Sequence, residues 1–170
     1  MRYTIGVTPP VNTGACLPSA LATSPVFLLG RLGYALKRQA VAELEEAGYS
    51  FYEYSVLTLA EDGTCKAQTE IADVLLLDRS QLVGLLDGLE ERGLIERQRD
   101  QNDRRRHVVK LTRGGRQELG RLRTLVNRIE DEFLAPLDAE SRSDLFAILS
   151  RLARAHDTRF AVPADVAVAS

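Results

Sequence analysis

The feature that most constrains this chain is a change of hydrophobic period at Gly93. Before it, in "RSQLVGLLDGLEERG" (79–93), Leu82, Leu85, Leu86 and Leu89 recur at i, i+3, i+4 and i+7, the spacing of one helix face. After it, "LIERQR" (94–99) and "RHVVKLT" (106–112) alternate as strands do, and Asp100, Gln101, Asn102 and Asp103 between them are turn formers. The stretch therefore reads as a helix followed by a hairpin. Asp78 with Gln81 three residues on supplies an N-cap for that helix.

Upstream, "AQTEIADVLLL" (67–77) places Ile71, Val74 and Leu75 inward as a second short helix. Two short helices separated by a tight break make a helix-turn-helix, and a hairpin behind them completes the element order of a winged helix. Helices flank this core on both sides. Pro25 opens one that carries Phe27, Leu28, Leu32, Ala35, Leu36, Val41 and Leu44 to Ala47 and stops at Gly48. Ser50 and Glu53 form a capping box for the next, which passes Val56, Leu57 and Leu59 and ends at Asp62-Gly63. A long helix runs from Arg116 through Leu119, Leu122, Leu125, Ile129 and Phe133 to Pro136. A last one runs from Ala139 to about Ala155 through Leu145, Ile148, Leu149 and Leu152. The expected fold is mainly α with a small β-hairpin wing, a winged helix-turn-helix lobe plus a helical lobe.

Charge is distributed unevenly along this framework. Residues 79–116 hold ten Lys/Arg against six Asp/Glu, a local +4 in a chain of net charge −2. Arg104, Arg105 and Arg106 stand together at the hairpin tip. A charge run is most often a solvated face, but segregation onto one lobe fits a surface presented to a polyanion. Arginine at a wing tip suits a narrow DNA minor groove, where phosphates focus negative potential. The polar side of the helix at 79–93, with Arg79, Ser80, Gln81 and Val83, is the face such a fold offers to base edges of double-stranded DNA, with Lys66 and Gln68 near phosphates.

The segment "LEERGLIERQRDQNDRRRHVVKLTRGGR" resembles the signature of the MarR family, the multiple antibiotic resistance regulators. The family's wing pattern D-x-R-x5-L-T-x-x-G is met by Asp103, Arg105, Leu111, Thr112 and Gly115, and "EIA" at 70–72 extends the likeness. The resemblance covers about residues 25–157 and implies a homodimeric transcription regulator, a repressor binding pseudo-palindromic DNA. It implies a winged helix-turn-helix core at about 50–113 and dimerisation through helices at about 25–47 and 116–157. Residues 1–24 are then a leader and 158–170 a loose tail. The chain departs from the family pattern at Ala67, where Thr or Ser commonly caps the helix, and at Gly84 and Gly88, where larger residues are common. A close approach to the DNA backbone would account for the two glycines.

The resemblance also places an effector pocket among the first, second and fifth helices. Tyr34, Tyr49, Phe51, Tyr52 and Tyr54 are concentrated around the first two, and Arg31 lies one turn before Tyr34. Aromatic walls, hydroxyls and one cation suit a small aromatic or phenolic acid, although aromatic residues at a helix junction are more often core.

Other classes find less support. There is no Gly-rich phosphate loop, no metal-ligand spacing and no nucleophile placed beside His107 or His156, so neither enzyme activity nor a cofactor is expected. No run of apolar residues is long enough to span a bilayer, and a cytoplasmic protein without a membrane partner is expected. Two rivals remain: a ligand- or protein-binding dimer without DNA binding, which has no use for arginines at the tip, and a thiol-based redox regulator. Cys16 lies in the leader rather than in the first helix, and Cys65 reads as a packing residue.

Overall fold

A computed structural model describes residues 17–62, 67–99 and 107–160. The chain divides into two units, residues 1–37 and 38–170. The first holds α1 (Ser19–Ala22) and the opening turns of α2 (Pro25–Glu46). Pro25 takes the first helical position, where its missing N–H costs nothing. Val26, Leu28, Leu29, Leu32 and Tyr34 are all exposed, Val26 at 82%.

The second unit begins in the same helix, where the pattern turns inward and Ala40 and Leu44 are buried. Gly48, at φ +83°, turns the chain out of α2 in the left-handed region that favours glycine, and the Tyr49 amide donates back to the Leu44 carbonyl at 2.9 Å. α3 (Phe51–Asp62) starts with the expected capping box: the Glu53 amide donates to Ser50 Oγ at 3.1 Å and the Ser50 amide to Glu53 Oε2 at 2.6 Å. α4 (Gln68–Leu75) is shorter than its apolar pattern. Ala67 has no side-chain oxygen to cap it, so only half of a box forms, the Ala67 amide donating to Glu70 Oε2 at 3.1 Å. Leu76, 79% exposed, closes the helix at φ +54°, which is why the helix stops short of Leu77 although the leucine run continues.

α5 (Arg79–Glu91) follows on the Asp78 cap and stops at Gly93, φ +68°. β1 (Ile95–Arg99) and β2 (His107–Leu111) then pair antiparallel, Ile95 opposite Leu111 and Arg99 opposite His107. An isolated bridge from Ala67 to Val108 ties the entry of α4 to the wing. Val108 is buried in consequence, although it faces away from Val109 and Leu111.

α6 (Arg113–Phe133) begins three residues earlier than its apolar period indicates. The reason is Thr112, whose Oγ1 accepts from the Gly115 amide at 2.9 Å as an N-cap, so the two glycines lie in the first helical turn rather than in a loop. α7 (Ala139–His156) is capped by Asp138. A 3-10 turn, Thr158–Phe160, follows where a structureless tail was expected to start. Leu44, Val56, Leu57, Ile71, Leu82, Leu86, Leu89, Ile95, Val109, Leu119 and Leu122 form one core against which α3 to α6 and the hairpin pack. Each such side chain stabilises the fold by roughly 1.5–3 kcal/mol relative to exposure. α7, by contrast, buries no residue.

Candidate nucleic-acid interface

The leucines of α5 fix which side of it is left for a ligand. Leu82, Leu86 and Leu89 are sunk in the core, and Arg79, Ser80, Gln81 and Val83 are exposed on the opposite side. The N-terminal turn is held firmly. Asp78 Oδ1 accepts from the Gln81 amide at 2.8 Å and from Ser80 Oγ at 2.7 Å, and the Asp78 amide donates to Gln81 Oε1 at 3.1 Å. The Ser80 hydroxyl, followed by the Gln81 amide, holds the Asp78 carboxyl below its ordinary range. Ser80 and Gln81 therefore serve the helix start as well as lining its outer face. The Gln81 carboxamide still has its NH2 to offer. Arg79 makes no ion pair with another described residue.

Gln68 is half-buried at the first turn of α4. Lys66, Arg104, Arg105 and Arg106 lie outside the described residues, as do Asp103, Cys16 and Cys65. His107 is an exposed strand residue at the foot of the wing. Gly84 and Gly88 face open space, and with Tyr52, Leu77, Gln81 and Leu85 they line a groove of about 520 Å³ between α3 and α5.

Several cations that contribute to the local +4 are already engaged. Arg97 on β1 pairs with Asp87 and Glu90 of α5 at 2.7 and 2.5 Å. Arg92, the C-cap of α5, lies 4.0 Å over the Tyr49 ring and pairs with Glu53 at 3.0 Å. Arg116 donates to the Leu111 carbonyl at 3.0 Å, and Lys110 reaches Gln98 Oε1 at 2.9 Å. Charge counting along the sequence overlooked these pairings because each crosses from one element to another, with no spacing rule to announce it.

The residues expected to hold an effector fall in both units. Arg31 and Tyr34, in the first, are exposed. In the second, Tyr49 is only 6% exposed and belongs to the core; burial raises its pKa against the opposing Arg92 charge, and the neighbouring Glu118 adds to the rise. Phe51 is half-buried with its ring edge-on to the exposed Tyr52, centroids 6.3 Å apart. Among the described residues no group of His, Cys, Asp and Glu is placed to hold a metal ion, and no helix is long and apolar enough to cross a membrane.

Known proteins share this arrangement. A model of the MarR family matches residues 52–107, from α3 into the wing. A Thauera aromatica protein named as a transcriptional regulatory protein for the hcr operon is 31% identical over 135 residues, 75% of this chain and 81% of that one. The transcriptional repressor CouR bound to a 23-mer DNA duplex is 32% identical, with a TM-score of 0.69 over 82% of this chain and 99% of that one. CouR from Rhodococcus jostii RHA1 bound to p-coumaroyl-CoA is 30% identical, with a TM-score of 0.66 over 80% of this chain and 96% of that one. With the helix-turn-helix, the hairpin and the Thr112 cap of α6 all in place, this chain belongs to the MarR family of winged-helix transcriptional regulators.

Proposed function

We propose that the protein is a repressor that binds pseudo-palindromic operator DNA as a homodimer in the cytoplasm, catalyses no reaction and is released by a small aromatic or phenolic acid. The observation that carries this reading is the capped, exposed N-terminal turn of α5 with the basic hairpin behind it, in a chain 32% identical to a repressor bound to duplex DNA. Arg79, Ser80, Gln81 and Val83 contact base edges, Lys66 and Gln68 contact phosphates, and Arg104 to Arg106 enter the minor groove. An N-terminal turn is also where backbone amides and the helix dipole favour phosphate. A Cβ at Gly84 or Gly88 would meet no described atom within 4 Å, and a sugar-phosphate backbone approaches closely there.

The effector class is supported by the phenolic thioester bound to CouR and by the aromatic residues of α2 and α3. Arg31, Tyr34, Tyr49, Phe51 and Tyr52 are each proposed as contacts in their own right. An effector acts only by binding the DNA-incompetent state more tightly than the DNA-competent one.

The test begins by selecting duplexes from a randomised pool with the purified protein. Replacing Arg104, Arg105 and Arg106 together by alanine should weaken binding to selected and random duplex alike, because minor-groove and phosphate contacts carry little sequence. Equal affinity of that variant and wild type at physiological salt rejects the wing assignment. Aromatic acids and their thioesters are then titrated against the complex, with Arg31→Ala and Tyr34→Phe alongside. If none releases DNA, or release ignores both substitutions, the effector assignment fails.

A further inference from the structure

α5 carries acid on the stripe that bears Arg79 and Val83, two of the proposed base contacts. Arg79, Val83, Asp87 and Glu90 succeed one another at i, i+4, i+8 and i+11, which keeps them on one side of a 3.6-residue helix. Two carboxylates on that stripe would repel the phosphates that the Arg79 end attracts. Arg97 meets both of them from β1. Its guanidinium pairs with Asp87 Oδ1 at 2.7 Å, its Nε donates to Glu90 Oε2 at 2.8 Å, and its backbone amide donates to Glu90 Oε1 at 3.0 Å. Glu90 is thus held by main chain and side chain of the same strand residue, which fixes where β1 sits along α5.

The partners depend on one another. The Glu90 carboxyl is held below its ordinary range, first by the Arg97 side chain and then by its amide, and the Arg97 guanidinium is held above its own. The Arg97 side chain is 25% exposed and those of Asp87 and Glu90 are 57% and 36% exposed, so the clamp sits at the edge of the packed surface rather than inside it. A cation that commits three of its five side-chain N–H donors to two carboxylates, on a strand held against the core opposite Val109, is neutralised and fixed before any phosphate arrives.

Resting on the reading of α5 and the hairpin as the DNA-binding surface, we propose that Arg97 is a positioning residue rather than a phosphate contact: it sets the wing against the recognition helix and cancels the acid on the flank of that helix that carries Arg79 and Val83. The two roles of an arginine make opposite predictions for its partners. If Arg97 were a phosphate contact, Glu90→Gln would remove a negative charge near DNA and free the guanidinium, and binding would tighten. If Arg97 positions the wing, Glu90→Gln releases β1 and binding weakens.

The experiment measures affinity for a duplex selected from a randomised pool, the hydroxyl-radical footprint on it, and thermal unfolding, for wild type, Glu90→Gln, Arg97→Gln and Arg97→Lys. We expect Glu90→Gln and Arg97→Gln to weaken binding about tenfold and to lose minor-groove protection at the flanks while keeping that of the half-sites. Arg97→Lys, which keeps the charge and loses the fork, should also lose flanking protection. Unfolding midpoints near that of wild type show that the loss is one of geometry. Tighter or unchanged binding by Glu90→Gln overturns the proposal, and so does an unchanged footprint in Arg97→Gln or wild-type behaviour of Arg97→Lys. Failure of the wild-type protein to select any duplex overturns the DNA reading itself, and this inference with it.

Discussion

A methyl group at residue 115 has nowhere to go. A Cβ built there would lie 1.9 Å from the Leu94 carbonyl oxygen and 2.9 Å from its carbon, both backbone atoms that cannot step aside. The close approach exists because Thr112 draws the two segments together: its hydroxyl donates to the Gly93 carbonyl at 2.7 Å, and its amide donates to the Leu94 carbonyl at 3.1 Å. Gly115→Ala must therefore part α6 from the turn that joins α5 to β1. We expect it to cost about 3 kcal/mol or more in denaturant unfolding, in the range of the most damaging single substitutions. Gly84 is the opposite case. Its Cβ would meet open space, so Gly84→Ala should stabilise α5 by about 1 kcal/mol. The same substitution should weaken binding to the selected duplex if the DNA backbone occupies that space, and an alanine variant that gains stability without losing affinity would remove the close-approach account of Gly84.

At the scale of elements, the start of α5 does two jobs with one side chain. Gln81 accepts the Asp78 amide through Oε1 and leaves only its NH2 for a base edge, so Gln81→Ala mixes a lost cap with a lost contact. Gln81→Glu separates them. A glutamate keeps the capping oxygen and suits a helix N-terminus, so thermal stability should hold while the preference for selected over random duplex falls by roughly 1–3 kcal/mol. Retained preference in that variant would remove Gln81 from the base-reading set. The same cap carries a pH dependence. Because folding lowers the Asp78 pKa, its contribution is complete above the ordinary carboxyl value of 3.8 and is lost as pH falls through the lower folded-state value. A carboxyl titration of Asp78 by NMR that showed no depression would contradict the cap.

These elements also show what was readable beforehand. Ser50 with Glu53 and Asp78 with Gln81 announced their helices because a capping box is local, four residues long and chemically specific. The start of α6 was misplaced because Gly114 and Gly115 look like a turn until Leu94 is seen against them, a contact made across the whole hairpin. Arg92 and Arg97 were legible only as positive charge. Their partners, Glu53 and the pair Asp87 and Glu90, belong to other elements, and nothing in local spacing separates an arginine that binds a carboxylate from one that waits for a phosphate.

For the whole molecule, α7 poses the open problem. Ile148, Leu149 and Leu152 are exposed along one side of a helix that has no fully buried residue, and Phe146, 72% exposed, lies off that stripe. Such an apolar face on an 18-residue helix is costly to leave in water and asks for a partner surface. The homodimer proposed above supplies one, since a two-fold axis lets the same face meet its copy. It also explains how recognition elements as small as α4 and α5 could achieve useful affinity: two half-sites about one helical turn apart are engaged together, and the second binding event becomes intramolecular. Ile148→Glu with Leu152→Glu should therefore yield a monomer by sedimentation, with affinity for the full selected site reduced by about 10²-fold or more and that for an isolated half-site little changed. The contacts within the second unit do not involve these two side chains as core members, so the fold of the DNA-binding elements should survive. A double variant that still sediments as a dimer would exclude this face from the interface. One that becomes monomeric yet binds the full site as before would show that α5 and the wing suffice alone.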